Sequence, residues 1–147
     1  MKKGSRSSLR ERALAVVMRR ARAAGLSVGI VYDNFHRVKK TALLIDGKAC
    51  QIYRVRVSHA IGRRAFCEVP FQRWRLESVA NVVVVLLGDM PEEKWPVFVV
   101  PTVEILKLLN GDSRGKAFCV PFENLVCRHG YDSGLPWWEY EAGRVWR

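Results

Sequence analysis

No apolar run in this 147-residue chain is long enough to cross a bilayer: the longest, Val82 to Leu87, falls far short of the roughly 20 residues a spanning helix needs. The basic, polar start, Met1 to Ser8, leads into no sustained apolar stretch, which argues against a signal peptide or membrane anchor there and predicts an intracellular, cytoplasmic protein. Paired cysteines are missing too. Cys50, Cys67, Cys119 and Cys127 show no CxxC spacing, and a chain of this size can build a core without disulfide staples, so reduced, buried thiols are expected. Cys119, Cys127 and His129 have metal-ligating chemistry, but zinc sites use tighter pairs, and no metal or other cofactor is expected. His36 and His59 stand singly in polar stretches, where a surface side chain is a better expectation than a base.

Acids are scarce where bases are dense. Residues 1 to 77 hold 18 Lys/Arg against 5 Asp/Glu, while residues 78 to 147 hold 7 against 9, so the whole net charge of +11 belongs to the first half. Solubility alone does not require so lopsided a distribution. It points to a polyanionic partner, nucleic acid before an anionic membrane surface.

With 49% hydrophobic and 27% charged residues, the chain is the size of one domain with a real core. Residues 1 to 8 read as a flexible basic arm and residues 9 to 147 as a single domain. Leu9 to Ala24 is helical: Leu14, Val17, Met18 and Ala21 recur at the spacing of one face, and Arg12, Arg19 and Arg22 gather opposite. Ser7 or Ser8 is placed to cap its start, Glu11 three residues beyond Ser8 giving the capping-box spacing, and Gly25 ends it. Strand-like segments follow at Ser27 to Tyr32, Thr41 to Ile45 and Cys50 to Ser58, separated by polar turns at Asp33 to Lys40 and at Asp46-Gly47, the latter a strong hairpin signal. Phe66 to Val69 is a weaker strand pattern and Trp74 to Val79 a short helix. Asn81 to Leu87 and Val97 to Val100 have the composition of strands buried on both faces and are expected in the middle of a sheet. Thr102 caps a helix through Leu109. A last apolar stretch, Ala117 to Phe122, precedes an aromatic tail with Trp137, Trp138, Tyr140 and Trp146, suited to covering a sheet edge or to forming a homodimer or protein-partner interface.

On the third strand, Tyr53, Val55 and Val57 point one way while Arg54 and Arg56 share the other face, because side chains alternate. This strand, together with Leu43-Leu44-Ile45-Asp46-Gly47, Asn81 to Val85 and Phe98-Val99-Val100-Pro101-Thr102, resembles in order and spacing the PD-(D/E)XK, or restriction-endonuclease-like, superfamily, especially its small resolvase-like and intron-endonuclease-like members. The resemblance covers roughly residues 9 to 109. It implies an α/β fold, a mixed sheet of about five strands flanked by helices, and a DNA-directed function.

In active members of that superfamily, an acid on the second strand and an acid-x-Lys triplet on the third hold Mg²⁺ and orient water, with a Glu on the first helix often joining them. Here the first acid maps to Thr41 or Ala42, the second to Arg54 and the lysine to Arg56; only Glu11 matches. Guanidinium groups repel cations and never deprotonate, but they grip phosphate oxygens bidentately. The resemblance therefore implies a degenerate centre that holds DNA without cutting it. The expected contact set is Lys2, Lys3, Arg6, Arg12, Arg19, Arg22, Arg54, Arg56, Arg63, Arg64, Arg73 and Arg75. Trp74, between two of these arginines, is read as core packing before base stacking. Three readings stand beside this one: Arg54 and Arg56 spent in ion pairs with Glu11, Glu68 or Asp46; a non-catalytic partner subunit of a nuclease assembly; and a metal-dependent endonuclease with a site migrated to Asp33, Asp46 and Glu68.

Overall fold

In the computed structural model, residues 8–56, 68–88, 90–109, 116–119 and 135–146 are described. Helix α1 (Leu9–Ala23) opens on the capping box: Ser8 accepts from the Glu11 N–H at 3.1 Å, and Glu11 accepts in turn from Ser8. Its end falls at Gly25, whose φ of +84° is the left-handed geometry that glycine adopts without strain. Strands β1 (Val28–Tyr32), β2 (Val38–Ile45) and β3 (Lys48–Arg56) form an antiparallel meander, with β2 and β3 joined through Asp46 and Gly47 at positive φ as the hairpin signal predicts. Strand β4 (Glu68–Phe71) and helix α2 (Arg73–Leu76) then carry the chain to β5 (Asn81–Leu87), which lies parallel to β3. Strand β6 (Val97–Pro101) runs antiparallel to β5 and leads directly into α3 (Thr102–Leu109). Strand β7 (Lys116–Cys119) pairs with β4 in a separate two-stranded sheet, and α4 (Ala142–Val145) closes the described chain.

The main sheet has the order β1-β2-β3-β5-β6, a mixed five-stranded α/β sheet with helices on both faces, as expected. Strand β5 carries the fold. Its alternate residues serve two cores: Val82, Val84 and Leu86 pack with Val55, Phe71, Leu76, Phe98, Ile105 and Leu109, while Val83, Val85 and Leu87 pack with Ile52, Trp95 and the α1 residues Ala13, Val16, Val17 and Ala21. Burial of each such side chain contributes roughly 1.5–3 kcal/mol. An uninterrupted Val/Leu run is what a strand covered on both sides requires.

Two expectations need correction. The buried stripe of α1 is turned toward Ala13 and Val16, leaving Leu14 and Met18 at its margin, half-buried. And β6 is an edge strand, not a central one. Its side chains are buried all the same because the aromatic tail comes back over it: Phe98 bridges to Glu141, and the rings of Trp137 and Trp138 meet the Phe98 ring edge-on at 5.7 and 5.2 Å. A paired and covered edge is protected from unwanted strand addition.

Candidate nucleic-acid interface

Where β3 and β5 reach their carboxyl ends, the start of α1 crosses the beginning of β2, and a narrow cleft opens there, lined by Arg10, Ala13, Leu14, Lys40, Thr41, Ile52 and Arg54. Alternation explains Arg54. Tyr53 and Val55 are directed into the core under Phe71 and Leu76, whereas Ile52 faces α1, so Arg54 emerges on the α1 side, exposed. Arg10 reaches the same cleft because it lies one turn before Leu14 on the helix. Continuous with this cleft is a wider groove of about 420 Å³ between α1 and the β1–β2 hairpin. Leu14, Ile30, Val38, Ala42 and Leu43 line it with apolar surface, and Arg10, Lys39, Lys40 and Glu11 supply its charge.

No carboxylate lines the narrow cleft among the described residues, and Arg10, Lys40 and Arg54 make no ion pair there. Glu11, the one position matching an active nuclease, is exposed and committed to the helix cap. It does not pair with Arg54. Asp33 and Asp46 stand just beyond opposite ends of β2, a strand of eight residues and therefore more than about 20 Å long, so they do not converge. Among the described residues no three His, Cys, Asp or Glu side chains come together as a metal site.

The basic residues of α1 point three ways, as 100° per residue dictates. Arg10 faces the cleft. Arg12 and Arg19 turn to the other flank and both donate to Glu92, in a short 3₁₀ turn (Glu92–Lys94) after β5. The Arg12 guanidinium also lies 5.3 Å from the centre of the Trp95 ring, which is anchored through its indole N–H to the Gly88 and Met90 carbonyls. Hydrogen bonds from Arg12 and then Arg19 hold the Glu92 carboxyl below its ordinary pKa. Arg22 is exposed. Arg75 belongs to α2, which packs on the opposite face of the sheet, so it does not join the cleft. Lys2, Lys3, Arg6, Arg63, Arg64, His59, Cys67, Cys127 and His129 lie outside the described residues, as do the side chains of Arg56, Glu68, Arg73, Trp74 and Cys119.

Tyr53 belongs to the core and not to the cleft: its ring meets the Phe71 ring edge-on at 5.1 Å, and burial pushes its phenol up to about 12. Cys50 is likewise buried, and its thiol is pushed upward by that burial. Both are neutral at physiological pH and neither offers a nucleophile to the groove.

Two cleft residues, Arg10 and Lys40, and the groove residue Lys39 were not among the sequence-based contacts. Arg10 could have been found from its i, i+4 relation to Leu14, and Lys39 and Lys40 from continuing the period of β2 back to Val38.

No protein-family model matches the chain, and no curated protein matches it. Among solved structures it is similar to a bacterial homing endonuclease, I-Ssp6803I, with a TM-score of 0.52 and 14% sequence identity over 94% of this chain and 89% of that one. At that identity the likeness is one of fold. The five-stranded mixed sheet with its flanking helices is a nuclease-like fold.

Proposed function

We propose that this protein binds nucleic acid, most simply DNA, through phosphate contacts at the cleft between α1, β2 and β3, and that the cleft is a degenerate counterpart of a PD-(D/E)XK nuclease centre that holds its ligand without cutting it. The observation that carries this reading is the convergence of Arg10, Lys40 and Arg54 with no carboxylate lining the cleft among the described residues. Three cations that share one cleft and make no ion pair among the described residues repel one another; an anion in the cleft relieves that repulsion and accepts charge-assisted hydrogen bonds. A divalent cation meets the opposite field and, among the described residues, no carboxylate lines the cleft to hold it.

Two further facts support a nucleic-acid ligand over a small anion: the net charge of +11 and the likeness in fold to a homing endonuclease. Fluorescence anisotropy with a labelled duplex tests the reading at fixed low salt. Arg10→Ala with Arg54→Ala should weaken binding about a hundred-fold or more, in line with the loss of two charge-assisted contacts at roughly 1.5–3 kcal/mol each. Unchanged affinity in the folded double variant rejects the cleft as the contact surface.

A further inference from the structure

The β1–β2 hairpin carries an apolar surface that the core does not use. Ile30 is 52% exposed, Tyr32 59%, Phe35 75% and Val38 49%. Tyr32 and Val38 are cross-strand partners and so stand on one face, and Ile30 and Val38 also line the groove that continues into the arginine cleft. The patch therefore extends the proposed phosphate site outward along the hairpin.

The tip of this hairpin is held rigidly. One Asp33 carboxylate oxygen accepts from the N–H groups of Phe35 at 2.7 Å and of Arg37 at 3.0 Å, the other accepts from the Arg37 guanidinium at 3.2 Å, and the Asp33 N–H donates to the Arg37 carbonyl at 2.7 Å. His36 completes the turn at φ +60°. The Arg37 guanidinium lies 5.0 Å from the centre of the Phe35 ring. A tip so tied together presents an aromatic ring to solvent at low entropic cost on binding. Its electrostatics select the occupant. Among the described residues, Arg10, Arg37, Lys39 and Lys40 outnumber the acids of this surface, Asp33 and Glu11, whose carboxylates are engaged within the turn and the helix cap, so the ligand that complements the surface has planar apolar groups and negative charge on one chain. Nucleic acid with unstacked bases has both.

Resting on the nucleic-acid reading above, we propose that the β1–β2 hairpin is a stacking wedge: Phe35 and Tyr32 receive exposed bases while Arg10, Lys40 and Arg54 hold the adjoining phosphates, so that single-stranded or locally melted DNA is favoured over intact duplex. Stacking on an aromatic side chain is sequence-tolerant, because every base offers a flat face.

The test compares three labelled DNAs of one sequence with the full chain: single strand, perfect duplex and duplex with a central unpaired bubble. Wild type should prefer strand and bubble over duplex. Phe35→Ala should weaken those two about five-fold or more while changing duplex affinity less than two-fold, and Phe35→Trp should restore the preference and lose tryptophan fluorescence on binding. Phe35 packs against no core cluster, so both variants should keep the wild-type circular dichroism. Equal affinity of wild type for the three DNAs, or an equal effect of Phe35→Ala on all of them, overturns the wedge. So does Phe35-dependent binding to vesicles of phosphatidylcholine and phosphatidylserine without Phe35-dependent DNA binding. If duplex binding is present and lost in the Arg10→Ala, Arg54→Ala variant, a failure at Phe35 overturns the wedge alone; if duplex binding does not need the arginines, the cleft reading has failed independently.

Discussion

Arg10 and Arg54 come from opposite sides of the core between α1 and the sheet, one on the opening turn of α1 and one near the end of β3, and they line the same cleft with no acidic side chain in its lining among the described residues. Helix periodicity puts the first there and strand alternation the second. Both placements are fixed by burial of their neighbours, Ala13 and Val17 on the helix and Ile52 on the strand. Neither arginine can leave the site without turning an apolar neighbour into water.

A cleft so charged should not support metal-dependent cleavage. Supercoiled plasmid incubated with the protein and Mg²⁺ or Mn²⁺ should remain supercoiled at protein concentrations that saturate binding. Nicking that depends on the metal and disappears in Glu11→Gln would identify an active nuclease instead.

Glu92 should contribute a small, pH-dependent part of stability. Its carboxyl is held below the ordinary range by hydrogen bonds from Arg12 and Arg19, so the folded state binds its proton less readily than the unfolded state does. The contribution is then fully present above the unfolded carboxylate pKa and is lost as pH falls through the folded value. Because the pairs lie at the surface, with Glu92 half-buried and both arginines reaching water, Glu92→Gln should cost only about 0.2–1 kcal/mol near pH 7, less in high salt, and nothing in strong acid. Thermal melts of both proteins across acid to neutral pH check this; a gap that widens on acidification would have the wrong sign.

The aromatic tail should be structural at Trp137. That side chain is 2% exposed and packs with Phe98 in the core that also holds Ile105 and Leu109. Trp137→Ala should destabilise by about 3–5 kcal/mol in urea unfolding, as large-to-small changes in packed cores do. A loss under 1 kcal/mol would mean that the tail is not part of the core.

Much of this fold was legible in the sequence because local pattern and tertiary environment agree. Asn81 to Leu87 and Thr102 to Leu109 form the strand and helix expected of them, since a Val/Leu run and an amphipathic segment each have one good structural solution; the cap expected of Thr102 is not made, because Thr102 is the first helical residue and its buried hydroxyl finds no partner among the described residues. What was hidden depends on distant parts of the chain. Val97 to Val100 looked central by composition, yet it is buried at an edge by residues 137–142, a long-range event with no local signature. Lys39 and Lys40 masked the first residues of β2, because strand positions facing an open groove need no apolar side chain. Arg12 and Arg19 read as a free basic face until Glu92, about 70 to 80 residues away, met both. Phe35 lay in what read as a polar turn, and its exposure follows from the Asp33 hydrogen bonds.

The salt dependence of duplex affinity, measured for wild type and for Arg10→Ala with Arg54→Ala, tests phosphate holding at the cleft most directly. Each phosphate contact adds about 0.9 to the slope of log K against log salt on B-DNA, so the double variant should bind with a slope shallower by about two. Parallel lines for the two proteins would show that the arginines release no counterions, which contradicts a phosphate-binding cleft.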